Sequence, residues 1–289
     1  MMSLPRTLSL IGLLLVPIFL SGARAQGVAP ASVSFDSLDQ RSGRPVQLQA
    51  FWFELPAGSP PAPAVALLHG CGGPYDRQGR LGQRMLDYAA LLNRQGMHAL
   101  VVDSLTPRGE RELCTQRVGT RALTQANRRL DALAAVAWLA QRPPVDAKRI
   151  GLMGWSNGGS TVLAATNERH AEVAKAAVKP AFAVAFYPGC EAELKRGYET
   201  HVPLLLLVGE ADDWTPAAPC HELAQSARGV KPEIEGYAGA YHGFDSAAPV
   251  RLRKEVPNGV NPGQGVHVGG DAAALQASRD RLLRFLETR

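Results

Sequence analysis

The sequence predicts an α/β domain with a mostly parallel, doubly wound sheet flanked by helices. Three observations lead there. Short continuous apolar runs rich in Val, Leu and Ala recur along the chain, as parallel strands covered on both faces require. Stretches with apolar residues at three- and four-residue steps lie between them, so strand and helix alternate. Finally, RIGLMG runs directly into WSNGGSTVLAATNE, which places a strand, a tight turn and a helix start in one segment.

The first 25 residues precede this domain. They carry a positive charge at Arg6, an apolar stretch from Leu8 to Leu20 and a small-residue site at Ala23-Arg24-Ala25. That pattern is a secretory signal peptide cut after Ala25, because the apolar run falls short of the ~20 residues that span a bilayer. A secreted or periplasmic protein is expected, with no stable membrane insertion after cleavage. Removing 25 of the 289 residues leaves 264, which suits one large domain over 26–289.

Strands are expected at 46–53, 64–68, 98–102, 150–153, 181–187, 203–208 and 233–237. Helices are expected at 81–94, 121–141, 158–167, 217–228 and 271–287. PAGSPPAP, at 56–63, is a turn ahead of the first fully apolar strand. In the second helix Leu123, Ala126, Leu130, Leu133, Ala134 and Ala137 form one buried stripe, and Pro143-Pro144 ends it. Residues 246–270, rich in Gly and Pro, read as a long irregular segment bordering the site.

Charge excludes one class of function. The net charge is +5, and Arg6 and Arg24 account for two of those charges, leaving +3 on the mature chain. Lys and Arg are scattered without interleaved aromatics, so no nucleic-acid partner is expected. The four cysteines, Cys71, Cys114, Cys190 and Cys220, match neither zinc-ligand nor redox spacing, and no metal is expected. In an exported chain they are expected to form disulfides, with three pairings open.

The chemistry centres on GWSNG. Ser156 stands between Gly154 and Gly158 at the strand-to-helix turn, where larger side chains would clash and where the helix start aims free N–H groups at a nucleophile. A serine hydroxyl needs a base and an acid to orient that base. PLLLLVGEADDWTP ends a strand before Asp212 and Asp213; the spacing favours Asp212 as the orienting acid, with Asp213 shaping the loop. GYAGAYHGFD places His242 in a Gly-rich loop after the last strand, and the order Ser, Asp, His suits a nucleophile-elbow hydrolase. His201, His221 and His267 lack one or more of these features. HGCGG follows an early strand and offers an oxyanion donor at the Cys71 N–H, paired with the N–H of Asn157; His69 braces that turn.

With those residues identified, LLHGCGGP, VVDSLTPRG, IGLMGWSNGGS, AFYPGC, LLVGEADDWTPAAPC and YHGFD resemble the dienelactone hydrolase family in that family's order. The resemblance implies the α/β-hydrolase fold, ester or lactone hydrolysis on a small molecule, no organic or metal cofactor, and catalytic roles for Ser156, Asp212 and His242. The namesake enzymes use a cysteine nucleophile, whereas serine stands here, so general carboxylester hydrolysis is the expected reaction. GWSxGG is also similar to polyester hydrolases and cutinases, while HGCGG and YPGC fit the dienelactone hydrolase group better.

In the implied fold Cys190 and Cys220 both lie at the strand ends near Asp212, and the expected bridges are Cys190 with Cys220 and Cys71 with Cys114. Arg108 is a candidate to meet an acidic substrate group, against a salt bridge with Glu110 or Asp103. Trp155, Trp214 and Tyr241 either line the pocket or pack beneath it. Two other readings stay open: a peptidase of the prolyl-oligopeptidase type, which shares the order of the triad, and a non-catalytic binding protein on the same scaffold.

Overall fold

The computed structural model describes Met2 and residues 30–289; the expected signal peptide, apart from Met2, lies outside the described residues. Among the described residues the elements in chain order are β1 (Ala31–Arg41), β2 (Arg44–Phe53), β3 (Ala62–Leu68), α1 (Gln83–Arg94), β4 (His98–Asp103), a 3-10 turn (Thr106–Arg108), α2 (Gln125–Ala140), β5 (Val145–Trp155), α3 (Asn157–Thr166), α4 (Ala171–Ala174) and β6 (Phe182–Phe186). They continue with α5 (Glu191–Arg196), β7 (Glu199–Thr200), β8 (Leu204–Gly209), α6 (Ala218–Ser226), β9 (Arg228–Gly229), β10 (Glu233–Tyr237), β11 (Arg251–Arg253), β12 (Val266–Val268) and α7 (Ala272–Leu286).

Eight strands form the central sheet in the order β1-β2-β4-β3-β5-β6-β8-β10. From β4 to β10 neighbouring strands are parallel, and β2 runs antiparallel to both its neighbours. Alternate residues of the central strands serve opposite faces. Ala64, Ala66, Leu68, Leu100, Val102, Ile150 and Leu152 pack with side chains of α2, α3 and α6. Val65, Leu67, Val101, Met153 and Trp155 pack with side chains of α1 and α7. Both faces are therefore dry, which is why β3, β4 and β8 read as unbroken apolar runs.

Each long predicted element is present, with ends moved by a few residues. β5 extends to Trp155, so its last residue abuts Ser156. The sequence reading missed β1, an edge strand whose buried residues are sparse and include Ser37, and whose Leu38 is exposed. It pairs with β2 through a turn at Ser42 and Gly43, both with positive φ. The segment 246–270 is not wholly irregular: β11 and β12 pair within it. No described helix is long and apolar enough to cross a membrane.

Candidate active site

The turns after β3, β5, β8 and β10 gather at the carboxyl end of the sheet, the place where open α/β sheets bind ligands. Ser156 sits between β5 and α3 with φ 55° and ψ −120°, a strained conformation for a residue with a side chain. The flanking glycines make that turn possible. A Cβ at Gly154 would lie 2.3 Å from the Gly158 carbonyl oxygen, and one at Gly158 would lie 1.9 Å from that of Leu68. The strand, the helix and the turn after β3 can converge on the serine only with hydrogen at both positions.

Ser156 Oγ lies 2.8 Å from His242 Nε2, and His242 Nδ1 lies 2.8 Å from Asp212 Oδ2. The carboxylate of Asp212 is fully engaged. Its Oδ1 accepts the N–H groups of Trp214 and Thr215, and its Oδ2 also accepts the Thr215 hydroxyl. An acceptor-only carboxylate on Nδ1 fixes the proton there and leaves Nε2 free to accept from the serine. The loop carrying His242 lies against the end of β8 because residue 209 is glycine: a Cβ there would sit 2.4 Å from the Ala240 carbonyl oxygen. The rings of Tyr187 and Trp214 flank the imidazole at 4.7 and 4.6 Å, and the His242 carbonyl accepts the N–H of Gly269.

Around Ser156, the N–H groups of Cys71 and Asn157 donate to no acceptor among the described residues. The Cys71 turn is fixed from several sides. Its Sγ is bonded to Cys114, and its carbonyl accepts the N–H of Leu113 at 2.7 Å. His69 Nε2 accepts the N–H of Ser104, so Nδ1 carries the proton and donates to the Gly70 carbonyl. Burial, and then the charge of Arg128, holds His69 well below its ordinary range, so the ring is neutral. It braces the turn, as expected from sequence. The second bridge joins Cys190 to Cys220.

Two clefts meet at Ser156. One, of about 360 Å³, is lined by Tyr75, Gln83, Met85, His242, Gly243 and Val268. The other, of about 790 Å³, is lined by Arg121, Asn157, Ser160, Pro219, Pro257 and Val260 among others. Trp214 and Cys71 face both. The long segment after His242 thus borders the site on both sides, and Asp213 anchors it by accepting the N–H and Nδ1–H of His267.

Two sequence-predicted substrate contacts, Arg108 and Tyr241, are corrected, and the third, Trp155, stands at a cleft. Arg108 lines neither cleft: it is held by Asp39 and Asp131, not by Glu110 or Asp103, and it donates to the Ser104 carbonyl. A guanidinium so fully paired has nothing left for a ligand. Trp155 lines the smaller cleft, one of the two places expected for it, and with 1% exposure and its indole N–H donated to Asp245 it forms part of the floor. Tyr241 packs on His267 and lines neither cleft.

The sequence reading passed over two groups. Asp245, three residues after His242, accepts from Arg84, Tyr88, Trp155 and Tyr187 in one buried knot. An acid at the end of YHGFD, inside an otherwise small and apolar loop, was the available signal. Arg128 is 1% exposed and donates to the Asn157 side chain and to the His69 carbonyl. Burial lowers its pKa to about 10, against the attraction of Asp131 and Asp103, which leaves it charged at neutral pH. Nothing but a basic residue on the polar side of the α2 stripe announced it. Among the described residues no group of three or more His, Cys, Asp or Glu side chains could hold a metal.

The fold has close counterparts. A Klebsiella pneumoniae protein provisionally named a dienelactone hydrolase superposes with a TM-score of 0.60 at 16% identity, covering 90% of this chain and 100% of that one. Esterase 2 of Thermogutta terrifontis superposes with a TM-score of 0.58 at 18% identity, covering 90% and 92%. Dipeptidyl peptidase 4 of Porphyromonas gingivalis gives 0.60 at 17% identity over 90% of this chain, which spans 35% of that longer protein. At such identities these matches show the α/β-hydrolase fold alone. No curated protein matches the sequence. The model of the dienelactone hydrolase family matches residues 50–288, and with the Ser156 turn, the Cys71 turn and the His242 loop all inside that span, the chain belongs to the dienelactone hydrolase family.

Proposed function

We propose that the protein is a serine carboxylester hydrolase acting on a small ester or lactone outside the cytoplasm, through residues 26–289 as one domain. The observation that carries this reading is the line of two 2.8 Å contacts from Ser156 through His242 to Asp212, ending on a strained serine at a helix start. Ser156 Oγ attacks the carbonyl carbon while its proton passes to His242 Nε2, and the carbonyl π electrons move onto oxygen as the tetrahedral oxyanion. The Cys71 and Asn157 N–H groups receive that charge. The adduct then expels the alkoxide, which takes the proton from His242, and the acyl group stays on Ser156. Water repeats the sequence with His242 as base and releases the acid.

The smaller cleft contains His242, which must reach the departing oxygen, so the alcohol belongs there and the acyl group belongs in the larger cleft. Two disulfides and the expected signal peptide support an exported protein.

The test is turnover of p-nitrophenyl esters of increasing acyl length by the mature protein and by Ser156→Ala, with Xaa-Pro p-nitroanilides alongside. Ester turnover that tolerates longer acyl chains and disappears in the folded variant is expected. Anilide turnover without ester turnover would move the reading to a peptidase, and no turnover of either to a binding protein.

A further inference from the structure

Arg128 is an unusual residue to bury beside this site. Its guanidinium donates to two neutral acceptors, Asn157 Oδ1 and the His69 carbonyl, and its Nε has no partner among the described residues. The two acids whose charge it feels do not bond to it. Asp131 is held by Arg108 and Ser37, and Asp103 accepts the N–H groups of Leu105 and Thr106 through one oxygen while the other has no partner among the described residues. A cation this deep is costly unless something negative completes it. Its two bonds fall on the two segments that carry the proposed oxyanion donors: Asn157 itself, and the carbonyl two residues before Cys71. The neighbouring residue in the same turn of α2 completes the grip, since Gln125 donates to the Asn157 carbonyl and accepts from Thr161.

We infer that Arg128 is a positioning residue for the oxyanion: it clamps Asn157 and the His69–Cys71 turn at a fixed separation, and its guanidinium, which has no acid hydrogen-bonded to it among the described residues, interacts most favourably when the tetrahedral adduct forms. This rests on the reading of Ser156 as nucleophile. An interaction that strengthens only in the transition state lowers kcat when lost and leaves substrate affinity alone. The same interaction should matter equally to a boronic acid, which is neutral in solution and becomes a tetrahedral anion on the serine.

The experiment measures p-nitrophenyl acetate turnover and phenylboronic acid inhibition for the parent, Arg128→Met, Arg128→Lys and Asn157→Ala. For Arg128→Met, kcat should fall about 10- to 100-fold, somewhat less than the roughly 100- to 1,000-fold that follows loss of a direct donor. KM should stay within about threefold, and boronate affinity should fall by the same factor as kcat/KM. Arg128→Lys should recover part of both. Asn157→Ala, which keeps the backbone N–H, should show a smaller loss, and combining it with Arg128→Met should add nothing. Should Arg128→Met fail to fold by circular dichroism, Arg128→Lys and Asn157→Ala decide the matter. Unchanged kcat and boronate affinity in the folded variants overturns the proposal, as does a loss confined to KM. A parent that neither turns over the ester nor binds the boronate overturns the reading beneath it, and this inference with it.

Discussion

Asp212 and Asp245 are two buried carboxylates on either side of His242, and they do opposite things. Asp212 takes backbone N–H groups, one hydroxyl and one imidazole, and that imidazole continues to a serine open to two clefts. Asp245 takes the heads of Arg84, Tyr88, Trp155 and Tyr187, and the chain of bonds stops there. Both carboxylates are buried, and both oxygens of each accept hydrogen bonds. What differs is whether the partner has a second, unoccupied role, and on the proposed reading this separates the carboxylate assigned to the chemistry from one that ties α1, β5 and the end of β6 to the His242 loop.

Removing the end of the Asp212 line should have the largest effect. Ser156→Ala should lower kcat for p-nitrophenyl acetate by more than about 10⁴-fold, with an unfolding midpoint within about 1 °C of the parent. Asp212→Asn should lower kcat by about 10³- to 10⁴-fold, because the amide can no longer hold the imidazole proton on Nδ1. If Asp245→Asn matched that loss in kcat while leaving the midpoint unchanged, the contrast would collapse.

Replacing both Cys190 and Cys220 by serine opens a bridge between positions 30 residues apart, worth about 3–4 kcal/mol in the chain-entropy model. The midpoint in urea should fall accordingly, on the Asp212 side of the site. Asp245→Asn should cost about 2–3 kcal/mol of stability, at or below the low end for breaking a buried pair because the Arg84 side chain is 34% exposed. That is about 5–10 °C in a domain of this size, with kcat changed only a few-fold.

The smallest effect is on the pH dependence of stability. His69 is held well below its ordinary 6.5, so below that pH the unfolded chain binds a proton that the folded chain refuses. Stability therefore falls as pH drops below 6.5, by at most about 1.4 kcal/mol per pH unit from this residue. His69→Gln should flatten that slope in urea titrations between pH 6.5 and 5. An unchanged slope would mean the ring is protonated in the folded protein.

Much of this was legible in the sequence, and what was not has physical reasons. The dry strands and the long helices announce themselves because each buries a continuous face. That Ser156, Asp212 and His242 come together was legible because small neighbours and strand ends constrain where such groups can stand. β1 escaped because an edge strand half in water carries few apolar residues. Arg108 misled because its partners, Asp39 and Asp131, are 69 and 23 residues away, and no local pattern reveals them. Asp245 and Arg128 were missed for the same reason: a buried charge is defined by what converges on it from other elements.

The most direct test of the central claim is labelling by a fluorophosphonate, followed by mass spectrometry of the digested protein. One equivalent of adduct on the peptide containing Ser156, absent in Ser156→Ala and much slower to form in His242→Gln, is the predicted result. Labelling elsewhere, or none under conditions that keep the protein folded, would contradict the assignment of Ser156 as an activated nucleophile.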